Sequence, residues 1–325
     1  MTAKACNKKN RHQYPIFASR NMKKALYQLH LAVLLAGFSG ILGKLISLDQ
    51  GPLVWYRTGI TMIAFLIFLI WTRRLKKTSP GEMLRIASAG CLLSIHWLCF
   101  YGSIKYANVS IALVCFSASA FFSALLDPLM MKRKFSFREV LLSMIAILGI
   151  YIIMHFDKRF TTGIILGLFA AFFNAWFTVL SKKLTEMHDP YTLSFYEISA
   201  GFLFLSAILP FYLKIFPHTV LIPTTLDWVY LTILSIGCTV FALVLAFSSL
   251  KKVGSFTTNL TYNLEPVYGI LLAFMIFHEN EYLNKNFYLG FTLILTSVIL
   301  QLSRTLQLRS RWHKKFPAWF RIPWG

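Results

Sequence analysis

Ten apolar runs, each long enough to cross about 30 Å of hydrocarbon, follow one another along this chain with short polar or basic breaks between them. They cover roughly 25–46, 52–71, 83–104, 107–131, 138–156, 162–181, 191–213, 227–249, 254–277 and 287–303. A run of this length satisfies its backbone in lipid as an α-helix, so the pattern predicts an all-α membrane protein of ten transmembrane helices. The breaks are chemically marked by "LDQGP" (48–52), "RRLKKTSPGE" (73–82), "KRKFSFRE" (132–139), "DKRFTTG" (157–163) and "MHDP" (187–190). The faintest is "KYANVS" (105–110), required because an unbroken apolar run from 83 to 131 exceeds any single crossing.

The basic residues orient the spans. With the N-terminus inside, 26 of the 33 Lys and Arg fall in cytoplasmic segments, six fall outside, and Arg57 lies within a span. That asymmetry predicts both termini on the cytoplasmic side. The net charge of +21 would suit a nucleic-acid binder, but its distribution in clusters between apolar runs excludes that class. Composition agrees: 57% of residues are hydrophobic and 14% charged, against about 45–50% and 25% in soluble domains. The basic, aromatic segment "RSRWHKKFPAWFRIPWG" (309–325) fits adsorption to the anionic inner leaflet. "MTAKACNKKNRHQYPIFASRNMKK" reads as a cytoplasmic tail, too long and basic for the start of a cleaved signal. Four of the five cysteines (Cys91, Cys99, Cys115 and Cys238, but not Cys6) lie in apolar runs, and none has metal-ligand or redox spacing.

The chain also repeats itself weakly. A shift of 146 residues lays "SIKYANVSIALVCFSASAFFSALL" (103–126) over "SLKKVGSFTTNLTYNLEPVYGILL" (249–272), and a shift of 140 pairs Arg57 with Glu197. Two halves of five spans each have opposite orientations, because five is odd. The expected organisation is a basic tail (1–24), a first five-helix repeat (25–156), an inverted second repeat (162–303) and a basic aromatic tail (304–325). Inverted repeats recur in transporters, with substrate near the midplane.

The run "TTNLTYNLEPVYGILLAFMIFHENEYLNKNFYLGFTLILTSVIL" (257–300), with its mid-span proline and an acidic residue at the helix end, resembles the EamA-type drug/metabolite transporter family. The likeness extends to "KYANVSIALVCFSASAFFSALLDPLMMKRKFSFREVLLSMIAILGIYII" (105–153). There Ala120 stands where the proline is usual and Arg133 where the acid is usual. The resemblance implies a multi-pass protein of the inner membrane that exports a small polar or amphipathic metabolite by alternating access, coupled to protons. The alternative from another class is an intramembrane enzyme acting on a lipid or headgroup. It would need His, Asp and Glu clustered at one interface, whereas these carboxylates are dispersed over helices and depths. No phosphate loop, Gly-x-Ser-x-Gly or His-Glu-x-x-His occurs, and no cofactor or metal is expected.

Ionisable groups inside spans mark function by default. Glu265 lies about 16 Å from either end of its run at 1.5 Å per residue, beyond the reach of snorkelling. In a continuous helix, Pro266 would free the carbonyl of Tyr262, making a polar notch with Asn259 and Asn263. Two readings of Glu265 compete: a proton carrier, or an ionised partner for a cationic substrate group. Arg57 offers a rigid donor fork to an anion, or snorkels to the outer interface. Glu197 is a candidate cytoplasmic gate, and opposite orientation makes a direct pair with Arg57 improbable. "SIHWLCFYGS" (94–103) places His96 and Phe100 on one helical face beside Trp97 and Tyr101. His30 and Asn174 complete the candidates, either lining the path or bonding between helices.

Overall fold

A computed structural model of the chain describes residues 16–131, 136–156, 158–249, 261–262, 264–297 and 299–300. Helices are α1 (Ile16–Leu45), α2 (Gln50–Trp71), α3 (Pro80–Tyr106), α4 (Val109–Phe116), α5 (Ser119–Met131), α6 (Phe137–Phe156), α7 (Thr161–Thr185) and α8 (Pro190–Ile215). Helix α9 starts at Thr225–Thr232, widens to π geometry over Ile233–Phe241 and runs on to Ser249. Helix α10 is Glu265–Phe277 and α11 covers 285–297. Among the described residues there is no strand, and seven helices are long and apolar enough to cross a membrane, α4 and α5 counting as one. Two shorter apolar helices, Val140–Ile153 and Glu265–Phe277, accompany them.

Helix α2 shows how the bundle inverts the pattern of a soluble protein. Ile63, Ile67 and Ile70, at helical spacing, are 54–63% exposed and form an apolar outer stripe. The opposite face buries Val54, Arg57, Thr58, Thr61 and Phe65. A stripe of isoleucine left uncovered over several turns suits lipid and not water.

The packing is crosswise. Helix α2 lies on α8 and α4 on α10, while Ser297 of α11 donates to the Leu142 carbonyl of α6 at 2.7 Å. Helix α3 packs on α7 and on α8; α1 and α2 both pack on the π segment; α4 and α5 pack on α7, and α1 on α10. Two crossings bring backbones almost into contact. A Cβ on Gly90 would sit 2.1 Å from the Glu197 carbonyl oxygen, and one on Gly37 3.0 Å from the Gly269 nitrogen. Gly37 belongs to "AGFSG" (36–40), whose small residues supply the close packing they suggest.

One end of the bundle is stitched by two buried acids. Glu279, 2% exposed, accepts from Val109 N (3.1 Å), Ser110 N (2.8 Å), Ser110 Oγ (2.6 Å) and Lys44 Nζ (2.8 Å). It is thus the anion at the N-terminus of α4, where unpaired amides and the helix dipole favour negative charge. Asp227 closes a capping box with Thr224 and also accepts from Ser47 N (2.7 Å) and Ser47 Oγ (2.5 Å). The faint break at 105–110 is real: α3 ends at Tyr106, and the Asn108 side chain accepts from Ile111 N to cap α4.

Candidate functional site

Glu265 stands at a helix start. Thr261 and Tyr262 are helical, Leu264 is a turn, and α10 begins at Glu265 with Pro266 in its first turn. This corrects the expectation of a continuous helix with Pro266 in its interior. Pro266 needs no amide donor at that position, where intrahelical partners are missing anyway. The carboxylate therefore sits at the positive end of a broken helix, a favourable place for an anion in an apolar span. Asn259 and Asn263 lie outside the described residues. Tyr262 is half-buried against the cluster of Ala32, Ala242, Leu245 and Ala246, and Glu265 is half-buried as well.

Arg57 does not snorkel. It is 4% exposed, with Nη1 donating to Tyr101 Oη at 2.5 Å and Nη2 to Thr239 Oγ1 at 3.1 Å. Its guanidinium carbon lies 4.0 Å from the Trp97 ring centroid and 5.4 Å from that of Tyr101. Trp97 and Tyr101 are four residues apart on α3, so one face supplies both rings. The π segment supplies Thr239 and also Ser235, whose hydroxyl donates to the Arg57 carbonyl at 3.2 Å. Thr239 in turn donates to the Leu234 carbonyl, five residues back, as π winding allows. Ser39 of α1 and Glu265 of α10 lie near the Arg57–Tyr101 pair. No ion pair within 4.0 Å joins Arg57 to an acid among the described residues. So α1, α2, α3, α9 and α10 converge on one buried cation and one carboxylate.

The other candidates lie on the α3–α7–α8 side or at the bundle's margin. His96 shares its face with Phe100 (ring centroids 6.0 Å apart), but its Nδ1 is 2.9 Å from the Ala170 carbonyl of α7, and Phe116 flanks it. Glu197 is 3% exposed at the α3–α8 crossing, with Ser181 of α7 in hydrogen-bonding reach and Oε1 unpartnered. It makes no ion pair with Arg57. Asn174 of α7 is half-buried. His30 Nδ1 meets Tyr268 Oη at 2.9 Å, tying α1 to α10. Asp127 of α5 lies 3.7 Å from Lys182 of α7.

Sequence reasoning missed Thr239, Ser235 and Ser39, and named Tyr101 only as part of an aromatic face. For Tyr101 a signal existed, its four-residue spacing from Trp97. Thr239 and Ser235 meet Arg57 only through pairings 182 and 178 residues apart, which no local pattern announces.

A helical multi-pass bundle with a buried Arg–Tyr–Trp cluster facing a carboxylate at a broken helix defines an integral membrane protein built around polar groups in its interior. The chain belongs to the EamA-like transporter family, whose model matches residues 23–155 and 161–303. It is 26% identical over 243 residues to an uncharacterized transporter of Archaeoglobus fulgidus, covering 72% of this chain and 81% of the relative. It is 22% identical over 268 residues to the uncharacterized transporter YetK of Bacillus subtilis, covering 78% and 80%. A crystal structure 15% identical in sequence superposes with a TM-score of 0.57 over 84% of this chain and 95% of its own, a likeness of fold. The protein is thus a multi-pass membrane transporter acting on a small-molecule substrate, and its family and relatives are transporters rather than enzymes.

Proposed function

We propose that the protein is a secondary active transporter that exports a small polar or amphipathic metabolite by alternating access, coupled to the proton gradient. It would do so as ten transmembrane helices in two inverted five-helix repeats, with both termini cytoplasmic. The observation that carries the reading is Glu265, a carboxylate opening a discontinuous helix inside the bundle of a transporter family. Broken helices at mid-membrane depth are where transporters bind ions and substrate. A carboxylate there is the group able to take up and release a proton as access alternates.

The packing supports the inverted repeat. If spans one to five correspond to six to ten, the pairs α2–α8 and α6–α11 map onto themselves, as does the α4–α5 span with α10. The contact α3–α7 maps onto α9–α1, α3–α8 onto α9–α2, and α5–α7 onto α10–α1. Such an exchange is what a two-fold axis in the membrane plane produces.

The test is a flux measurement on purified protein in liposomes carrying a pH-sensitive dye, with a panel of amino acids, amines and nucleosides. Substrate-dependent proton movement in the wild type that disappears in Glu265→Gln is the expected result. Equal flux in both proteins removes Glu265 from the coupling role.

A further inference from the structure

The proposal above concerns the carboxylate at the helix break; the buried cation beside it has a different chemistry to offer. We infer that Arg57 is the seat for a carboxylate on the transported molecule, so that the substrate class is a small monoanionic organic acid. The inference rests on the transporter reading and narrows it.

Three observations lead there. First, the guanidinium is held by neutral groups alone: two hydroxyls and the face of an indole. Taking a cation out of water costs several kcal/mol, which an opposite charge ordinarily offsets by direct contact. No acid within 4.0 Å does so among the described residues, and Glu265 acts only through space. Secondly, Nε is buried and has no hydrogen-bond partner. Guanidinium carries five N–H donors and two are engaged, so Nε–H and one neighbouring Nη–H remain as a side-on fork. That fork matches the two oxygens of a carboxylate. Thirdly, the side chain is clamped. Tyr101 and Thr239 fix the two Nη atoms, Trp97 fixes the plane, and Ser235 bonds the Arg57 backbone. A long cationic side chain left to itself loses rotamer entropy on binding a ligand, and here that loss is already met by the fold. Two of the clamping residues come from a nine-residue π segment, a geometry that is uncommon in helices and concentrated at functional sites.

The charge selects among anions. One buried guanidinium balances a monoanion, whereas a phosphate dianion would bring a second, uncompensated negative charge towards Glu265. The site therefore favours a carboxylate over inorganic phosphate.

The test reads binding in the absence of transport. Purified full-length protein in detergent micelles is melted by following its intrinsic fluorescence, with benzoate, benzamide, benzylamine or inorganic phosphate added as probes. Benzoate is expected to raise Tm by at least about 2 °C at saturation, since a ligand of the folded state stabilises by mass action. Benzamide and benzylamine, of the same shape without the negative charge, are expected to leave Tm unchanged. Arg57→Gln is expected to lose the benzoate shift. Arg57→Lys keeps the charge without the fork and is expected to need about tenfold more benzoate, the factor that 1.4 kcal/mol represents. A benzamide shift equal to that of benzoate, an unchanged benzoate response in either variant, or no response to benzoate in the wild type overturns the inference. A shift with phosphate alone overturns the choice of carboxylate. Should Arg57→Gln fail to fold, Arg57→Lys decides the matter. Because the readout is binding, loss of the proton-coupling reading leaves this result standing, and the reverse holds equally.

Discussion

The bundle breaks a spanning helix twice at the same register. In one span, α4 ends at Phe116 and α5 restarts at Ser119; in the other, α10 starts at Glu265, 146 residues further on, the offset of the internal repeat. The geometry is shared and the chemistry is not. Where the second break carries Glu265 and Pro266, the first has Ser119 and Ala120. The same offset carries Glu279, the buried acid on α4, to Arg133. The interruption therefore belongs to the fold, needing neither proline nor charge, while the carboxylates belong to one half only. At these two breaks the backbone matches and the polar equipment differs.

Removing the charge from the second break should have the largest effect. Glu265→Ser makes that break resemble the first, and coupled flux in dye-loaded liposomes should fall at least about tenfold, the equivalent of 1.4 kcal/mol. Next comes the stitched end, where only one half supplies an acid. Glu279→Ala leaves Lys44 and the α4 amides without their anion and should cost about 3 kcal/mol of stability in denaturant titrations in micelles. Lys44→Met, removing the exposed side of the same network, should cost less than about 1 kcal/mol. A third test asks whether the first break is a true helix start. Ala124→Pro, inside α5, should cost about 3 kcal/mol. Ala120→Pro, which copies Pro266, gives up only the long Ala120 N to Ser117 O bond of 3.4 Å and should cost less than about 1 kcal/mol. Equal costs for the two prolines would mean that α4 and α5 form one helix. Smallest of all, Ser119→Ala, which removes a buried hydroxyl that has no hydrogen-bond partner among the described residues, should leave coupled flux within about twofold.

Much of the bundle was legible because lipid imposes long apolar runs and the translocation bias separates the basic clusters. That α1 packs closely could be read from "AGFSG", though not that its partner is α10, and Arg57, Glu197 and Glu265 stood out by cost alone. The helix start at Glu265 was read as the middle of a continuous helix, because Pro is compatible with both and only backbone geometry distinguishes them. The partners of Arg57 were hidden for another reason. A threonine or serine in an apolar run is unremarkable until the fold turns it inward, and the π winding that does so at Thr239 has no sequence signature. Glu279 was seen only as a helix end, since its four partners lie on two other helices.

That acid has a consequence for how the protein is made. The amides of Val109 and Ser110 leave the ribosome some 170 residues before Glu279 does, and Lys44 leaves it 235 residues before. During synthesis the start of α4 is therefore without its anion until residue 279 of the 325 has been translated. A nascent chain stopped short of α10 would leave those amides and Lys44 without their anion. The seam thus closes late, only once most of the second half has been made.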